Sequence, residues 1–136
     1  MSAHTNHQPT QAFVDALSTL EKDGDTDKIV ACFADDAEVF ALVDRRRHTG
    51  QDGVTSFWAE YRREFDKIES TFSNISVEGN LAVLEWTGKG TVAGDDAREI
   101  SYDGCSILHF NDDGKITRFR TYYDSAAFVH VEADVS

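Results

Sequence analysis

Few residues in this 136-residue chain are placed to do proton chemistry, and most of those fall in its second half. Asp124 is the clearest carboxylate, directly after the run FRTYY, where a general acid or base would close a strand. The same position suits the N-cap of a short helix through Val129, so both roles stay open. Tyr61, Tyr102 and Tyr123 carry hydroxyls able to orient a ligand, or they supply aromatic core with a hydrogen-bonded tip. Ser106 and Thr121 offer a hydrogen bond to a ligand carbonyl or to a neighbouring strand. The catalytic candidates are therefore Asp124, Tyr61 and Tyr123, with no firm catalytic set.

Metal and cofactor chemistry find no footing. His4, His7, His48, His109 and His130 are scattered, and His130-Val131-Glu132 is too slight for a metal site. Asp112-Asp113-Gly114 is turn chemistry, because a calcium loop needs more acids at fixed spacing and a final Glu. There is no glycine-rich phosphate loop and no nucleophile elbow, and no metal or cofactor is expected. Cys32 and Cys105 stand far apart, which reads as two reduced thiols rather than a disulfide. Arg45-Arg46-Arg47-His48 is the one basic cluster. It either draws an anionic group towards a cavity mouth or is solvated loop charge.

Charge narrows the function classes further. Twenty-five acids against 13 bases give a formal charge of −12. A protein that tracks nucleic acid needs a basic face, and so does one that docks on an anionic membrane. Neither partner is expected. No apolar run approaches the roughly 18 residues of a membrane helix, and the start MSAHTNHQPTQ lacks a secretory pattern, which predicts a cytoplasmic protein.

The elements that would position these residues follow from period and turn chemistry. Pro9 suits the first turn of a helix whose stripe is Phe13, Leu17 and Leu20, stopped at Asp23-Gly24. Asp25 caps a second helix with Ile29, Val30 and Phe33 buried, ended by Asp35-Asp36. From Ala37 the period is two, with Val39, Ala41 and Val43 on one side of a strand. Arg45 to His48 form a loop closed by Gly50. A third helix spans residues 52–67, its stripe being Val54, Phe57, Trp58, Tyr61 and Phe65. Residues 68–123 read as four strands with turns at 78–80, 93–96 and 111–114. The chain divides into a tail (1–8), one domain (9–130) and a second tail (131–136).

The fold class is thus α+β: three N-terminal helices on a curved, mostly antiparallel sheet enclosing a pocket. Strand alternation puts Trp86, Gly88, Ser106, Leu108, Phe110, Phe119, Thr121 and Tyr123 on the face that the helices cover. Glu85, Thr87, Cys105, Ile107, His109, Arg118, Arg120 and Tyr122 fall on the other, which has the mixed profile of an interface and predicts a homodimer. A long sheet under three helices leaves a cavity. Its expected lining is Phe13, Phe40, Phe57, Trp58, Tyr61, Trp86, Tyr102, Ser106, Phe119, Thr121 and Tyr123, suited to a small apolar or aromatic ligand.

Five segments resemble the SnoaL-like group of the nuclear-transport-factor-2-like superfamily, which has a cystatin-like cone. They are FVDAL (13–17), GDTDKI (24–29), CFADDAEVF (32–40), GQDGVTSFW (50–58) and DGKITRFRTYYD (113–124). The resemblance implies this fold but spans cyclases, isomerases, epoxide hydrolases and binding modules. Ketosteroid isomerases would place a base at Ala41 and an oxyanion hole at Phe13 and Ser106, and these residues cannot shuttle a proton. Limonene-epoxide hydrolases would need polar groups at Phe40, Leu42, Trp86, Gly88 and Thr121. SnoaL-like cyclases would carry their general acid/base at Thr121, three residues before Asp124. Two classes survive: a binding domain for a small apolar molecule, and a cyclase-, isomerase- or lyase-type enzyme with relocated acid/base groups.

Overall fold

The computed structural model describes residues 6–42, 45–94 and 98–128. Val43, Val129, His4, His130 and part of the 93–96 turn lie outside them, as do the chain ends. The first helix, α1 (His7–Asp23), begins two residues inside the stretch expected as a tail. Asn6 holds that start in place: its Nδ2 donates to the Gly79 carbonyl at 2.7 Å, and its own carbonyl accepts from Thr10 Oγ1 at 2.6 Å. The helix ends as its sequence predicts. Gly24 takes a left-handed φ of 75° and its N–H reaches the Leu20 carbonyl at 2.9 Å.

The second helix is shorter than expected. α2 covers only Asp27–Val30, and the Asp27 N–H donates to Asp25 Oδ1 at 2.9 Å, the capping role foreseen for Asp25. Phe33, Asp35 and Asp36 belong instead to strand β1 (Phe33–Ala41), which lies parallel to β6 (Ile116–Tyr123). Pairing with a strand some 80 residues away overrides the helical spacing of Ile29, Val30 and Phe33. The arginine loop is also corrected: β2 (Arg47–Thr49) is an edge strand antiparallel to β1. Helix α3 (Gly50–Arg63) ends earlier than residue 67, so Phe65 leaves the helix and opens β3 (Phe65–Glu78).

Strands β3, β4 (Leu81–Val92), β5 (Glu99–Phe110) and β6 form the predicted antiparallel meander. The six strands make one mixed sheet in the order β2-β1-β6-β5-β4-β3. The helices cover its inner face, and a 3-10 turn (Ser125–Phe128) closes one end. Beneath the helices Leu20, Ile29, Val39, Val54, Leu84, Leu108 and Ile116 are fully buried. At about 1.5–3 kcal/mol for each fully buried large aliphatic chain, this layer carries much of the folding drive. No described helix is long and apolar enough to cross a membrane.

Candidate functional site

Three rows of cross-strand neighbours on the inner face decide where the sheet is packed and where it is hollow. Ala82, Leu108, Phe119 and Val39 form one row, all buried. The next contains Leu84, Ser106, Thr121 and Ala41, where two aliphatic places have become hydroxyls. The third pairs Trp86 with Gly104 and Gly104 with Tyr123. A Cβ on Gly104 would collide with the Trp86 ring, so glycine there lets the indole lie flat across the strand. Tyr102 lies over Gly88 in the same way.

Above these rows is a cavity of about 100 Å³. An apolar cavity of roughly 150 Å³ admits benzene, so this space is smaller than one that holds a ring with no adjustment of its walls. Its lining includes ten of the eleven residues expected from the sequence: Phe13, Phe57, Trp58, Tyr61, Trp86, Tyr102, Ser106, Phe119, Thr121 and Tyr123. Leu17, Ala41, Glu60, Glu64, Ser70 and Phe72 complete it. The rings pack edge to face, as quadrupoles prefer: Trp58 meets Phe57 at 4.9 Å and Phe119 at 5.2 Å, and Trp86 meets Tyr102 at 5.4 Å.

Phe40 is the exception. Alternation turns it to the outer face, where its ring lies under the guanidinium groups of Arg47 at 5.7 Å and Arg120 at 5.5 Å. Asp124 is also placed elsewhere. It is exposed, does not line the cavity, and its Oδ1 accepts from the Ala126 N–H at 3.0 Å at the start of the 3-10 turn. Of its two roles, the structure shows the cap.

The polar inventory of the cavity is short. Trp86 Nε1 donates to Ser106 Oγ at 3.0 Å, and Ser106 Oγ lies 2.9 Å from Thr121 Oγ1. One proton joins the two hydroxyls, so the pair keeps one further O–H to give. Trp58 is 3% exposed and its Nε1–H has no partner. A buried unpaired donor costs about 1–3 kcal/mol. Glu60 on α3 and Glu64 just past its end are exposed and mark the rim; Arg46 sits 3.7 Å from Glu60.

One functional feature escapes sequence reasoning: Glu21. It is a charged residue beside Leu20 near the end of α1, yet it is 5% exposed. It accepts from Tyr61 Oη at 2.7 Å, from Ser70 Oγ at 2.7 Å and from the Ser70 N–H at 2.9 Å. Burial first, and the Glu21 carboxylate next, push the Tyr61 phenol well above its ordinary pKa. Tyr102 is raised too, by burial and then by neighbouring Tyr123. Both phenols therefore stay protonated at neutral pH. Among the described residues, no three His, Cys, Asp or Glu side chains are grouped to hold a metal.

The SnoaL-like domain model matches residues 10–119. The chain belongs to the SnoaL-like domain family. Solved structures agree on the fold. An NTF2-like protein from Anabaena variabilis superposes with a TM-score of 0.79 at 14% identity, over 93% of this chain and 96% of that one. A protein with a ketosteroid isomerase-like fold from Catenulispora acidiphila, solved with trimethylamine, gives 0.74 at 16% identity, over 85% and 87%. An LEH-like epoxide hydrolase from M. tuberculosis gives 0.69 at 20% identity, over 90% and 84%. No curated protein matches the chain.

Proposed function

We propose that this SnoaL-like domain holds a small, largely apolar or aromatic molecule in the cavity between α3 and the sheet, without transforming it. The observation that carries this reading is an aromatic-walled cavity whose floor holds a Ser106–Thr121 pair with one proton to spare. Those groups bind an acceptor such as a carbonyl oxygen. They are poor acids and bases at neutral pH. That the Catenulispora relative was solved with trimethylamine supports a ligand role for this fold. The test follows the indole N–H resonances of Trp58 and Trp86 by NMR during titration with acetophenone. Saturable shifts of the Trp58 resonance are expected, and native mass spectrometry should show a co-purifying small molecule. If a saturating titration moves neither indole, the reading fails.

A second reading, an acid/base enzyme of cyclase or isomerase type, is favoured by one contact, the Tyr61–Glu21 hydrogen bond. Turnover of small aromatic polyketide esters that disappears in Tyr61→Phe would establish it over the binding role.

We further propose a homodimer through the outer sheet face. Cys105, Ile107 and Tyr122 are half-buried there. Within one protomer Arg118 already lies 3.7 Å from Glu38, and Arg120 stacks on Phe40 and Tyr122, so the apolar residues would carry the contact. Light scattering on Ile107→Glu is expected to show a monomer. A folded dimer of unchanged stability would exclude this face.

A further inference from the structure

On the side of the cavity formed by α3 and β3, two hydroxyl protons are already committed. Tyr61 and Ser70 both line the cavity, and both donate to Glu21 Oε2 at 2.7 Å. Glu21 itself lies outside the cavity lining, and its other oxygen takes the Ser70 N–H at 2.9 Å. A hydroxyl has one proton and two lone-pair directions. With that proton given to Glu21, Tyr61 and Ser70 turn only lone pairs to any other partner. On the β5 and β6 side of the lining the balance is opposite: the Ser106–Thr121 pair brings one spare O–H. The cavity therefore has an accepting side and a donating side. A carboxylate behind the wall sets the polarity of the first.

We infer that Glu21 is a positioning residue for ligand choice: by fixing Tyr61 and Ser70 as acceptors, it makes the cavity select a small aromatic that donates a hydrogen bond, such as a phenol or aryl amine, over one that only accepts, such as an aryl aldehyde. The inference rests on the reading of the cavity as a ligand site. A phenol satisfies both sides at once, giving its proton to Tyr61 or Ser70 and accepting from the Ser106–Thr121 pair. An aldehyde satisfies only the donating side. Near Tyr61 its oxygen meets another lone pair, unless a hydroxyl turns away and leaves the buried Glu21 short of a partner.

Glu21→Gln is the decisive variant, because it inverts the polarity without removing volume. The amide oxygen can still accept the Ser70 N–H. The amide nitrogen, in place of Oε2, must donate, and so turns the Tyr61 and Ser70 protons towards the cavity. Calorimetric titration of the full chain with phenol and with benzaldehyde reads the outcome. Wild type is expected to bind phenol about tenfold more tightly, the size of one or two net hydrogen bonds. In Glu21→Gln the ratio falls to about one or reverses. Tyr61→Phe and Ser70→Ala, made separately, should each weaken phenol severalfold and leave benzaldehyde within about twofold, and they carry the test if Glu21→Gln does not fold. Equal affinities in wild type, or a preference for phenol that survives all three substitutions, would overturn the inference and leave the ligand site standing. If neither probe binds wild type, the ligand site falls and this inference with it.

Discussion

The two ends of the sheet use the same three central strands and come out differently. Beneath α1 and α2 the inner residues Ala82, Leu108, Phe110 and Ile116 are all buried, and the Phe33 ring packs against Phe13 and Phe119, which form the border with the cavity. Past the C-terminal end of α3 the same strands carry Trp86, Gly104, Ser106, Thr121 and Tyr123. There Trp86 and Tyr123 stay half-buried, and Phe128 of the closing turn packs against Tyr102 at 4.7 Å. At the first end side chains meet side chains and dispersion contacts are complete. At the second, rigid rings stand around a space. Two residues along a strand suffice for the change: Leu108 against Ser106, Phe119 against Thr121. The fold keeps its stability at one end and its open site at the other.

The largest expected effect tests the packed end. Leu108→Ala should lower unfolding free energy by about 2–5 kcal/mol, as large-to-small changes in full cores do, and chemical denaturation measures it. Cavity ligands should still bind the folded fraction.

Thr121→Asp strikes the boundary between the two ends. A carboxylate in this aromatic surround loses hydration, so its pKa should rise above the ordinary Asp value near 4. A folded pKa raised above the unfolded one means stability that is intact below about pH 4 and falls as pH rises to the new pKa. A loss of roughly 2 kcal/mol at pH 7 corresponds to a rise of about 1.5 units. Denaturation curves at pH 4 and pH 7 give the comparison directly, and a variant equally stable at both would mean that the boundary is wetter than its lining implies.

At the hollow end, Trp86→Ala removes a half-buried ring and should cost less than a packed one, about 1–2 kcal/mol against roughly 3–5 for a full core. Affinity for a small aromatic probe should fall by more than tenfold. A large stability loss with unchanged probe binding would make Trp86 ordinary core and erase the contrast between the ends.

The smallest effect is alkaline. Tyr61 and Tyr102 are raised in the folded state, so the stability tied to their protons is complete below the unfolded phenol pKa near 10 and is lost as pH rises above it. Thermal melts of wild type from pH 8 upward should decline beyond about pH 10. Tyr61→Phe should begin about 1 kcal/mol less stable, having lost the Glu21 hydrogen bond, and then decline less steeply.

Much of this architecture was legible before any coordinates. The Phe13-Leu17-Leu20 stripe, the Gly24 stop and the hairpin turns at Gly79 and Gly114 each depend on a few neighbouring residues, so local period and turn chemistry suffice to read them. The division of the meander into faces follows from alternation alone and supplied five of the cavity residues, while the stripes of α1 and α3 supplied four more. Two errors share one cause. Phe33 and Phe65 have helical spacing to the residues before them, yet strand partners far along the chain claim them: Ile116 for Phe33, Val92 for Phe65. Phe40 stands between the inward Val39 and Ala41, so alternation itself excludes it from the lining.

The amino-acid sequence by itself determined the order of elements apart from the edge strand β2, the two faces of the meander and the family, because these depend on short-range pattern. Only the tertiary structure decided that Arg47 and Arg120 cover Phe40, that Asp124 is a cap, and that Glu21 is a buried acceptor. The Glu21 bonds join residues 40 and 49 positions apart on a helix and two other elements. No local rule specifies such a meeting. Packing α1 and α3 against the sheet brings the three side chains within hydrogen-bond reach, and with them the polarity of the cavity wall.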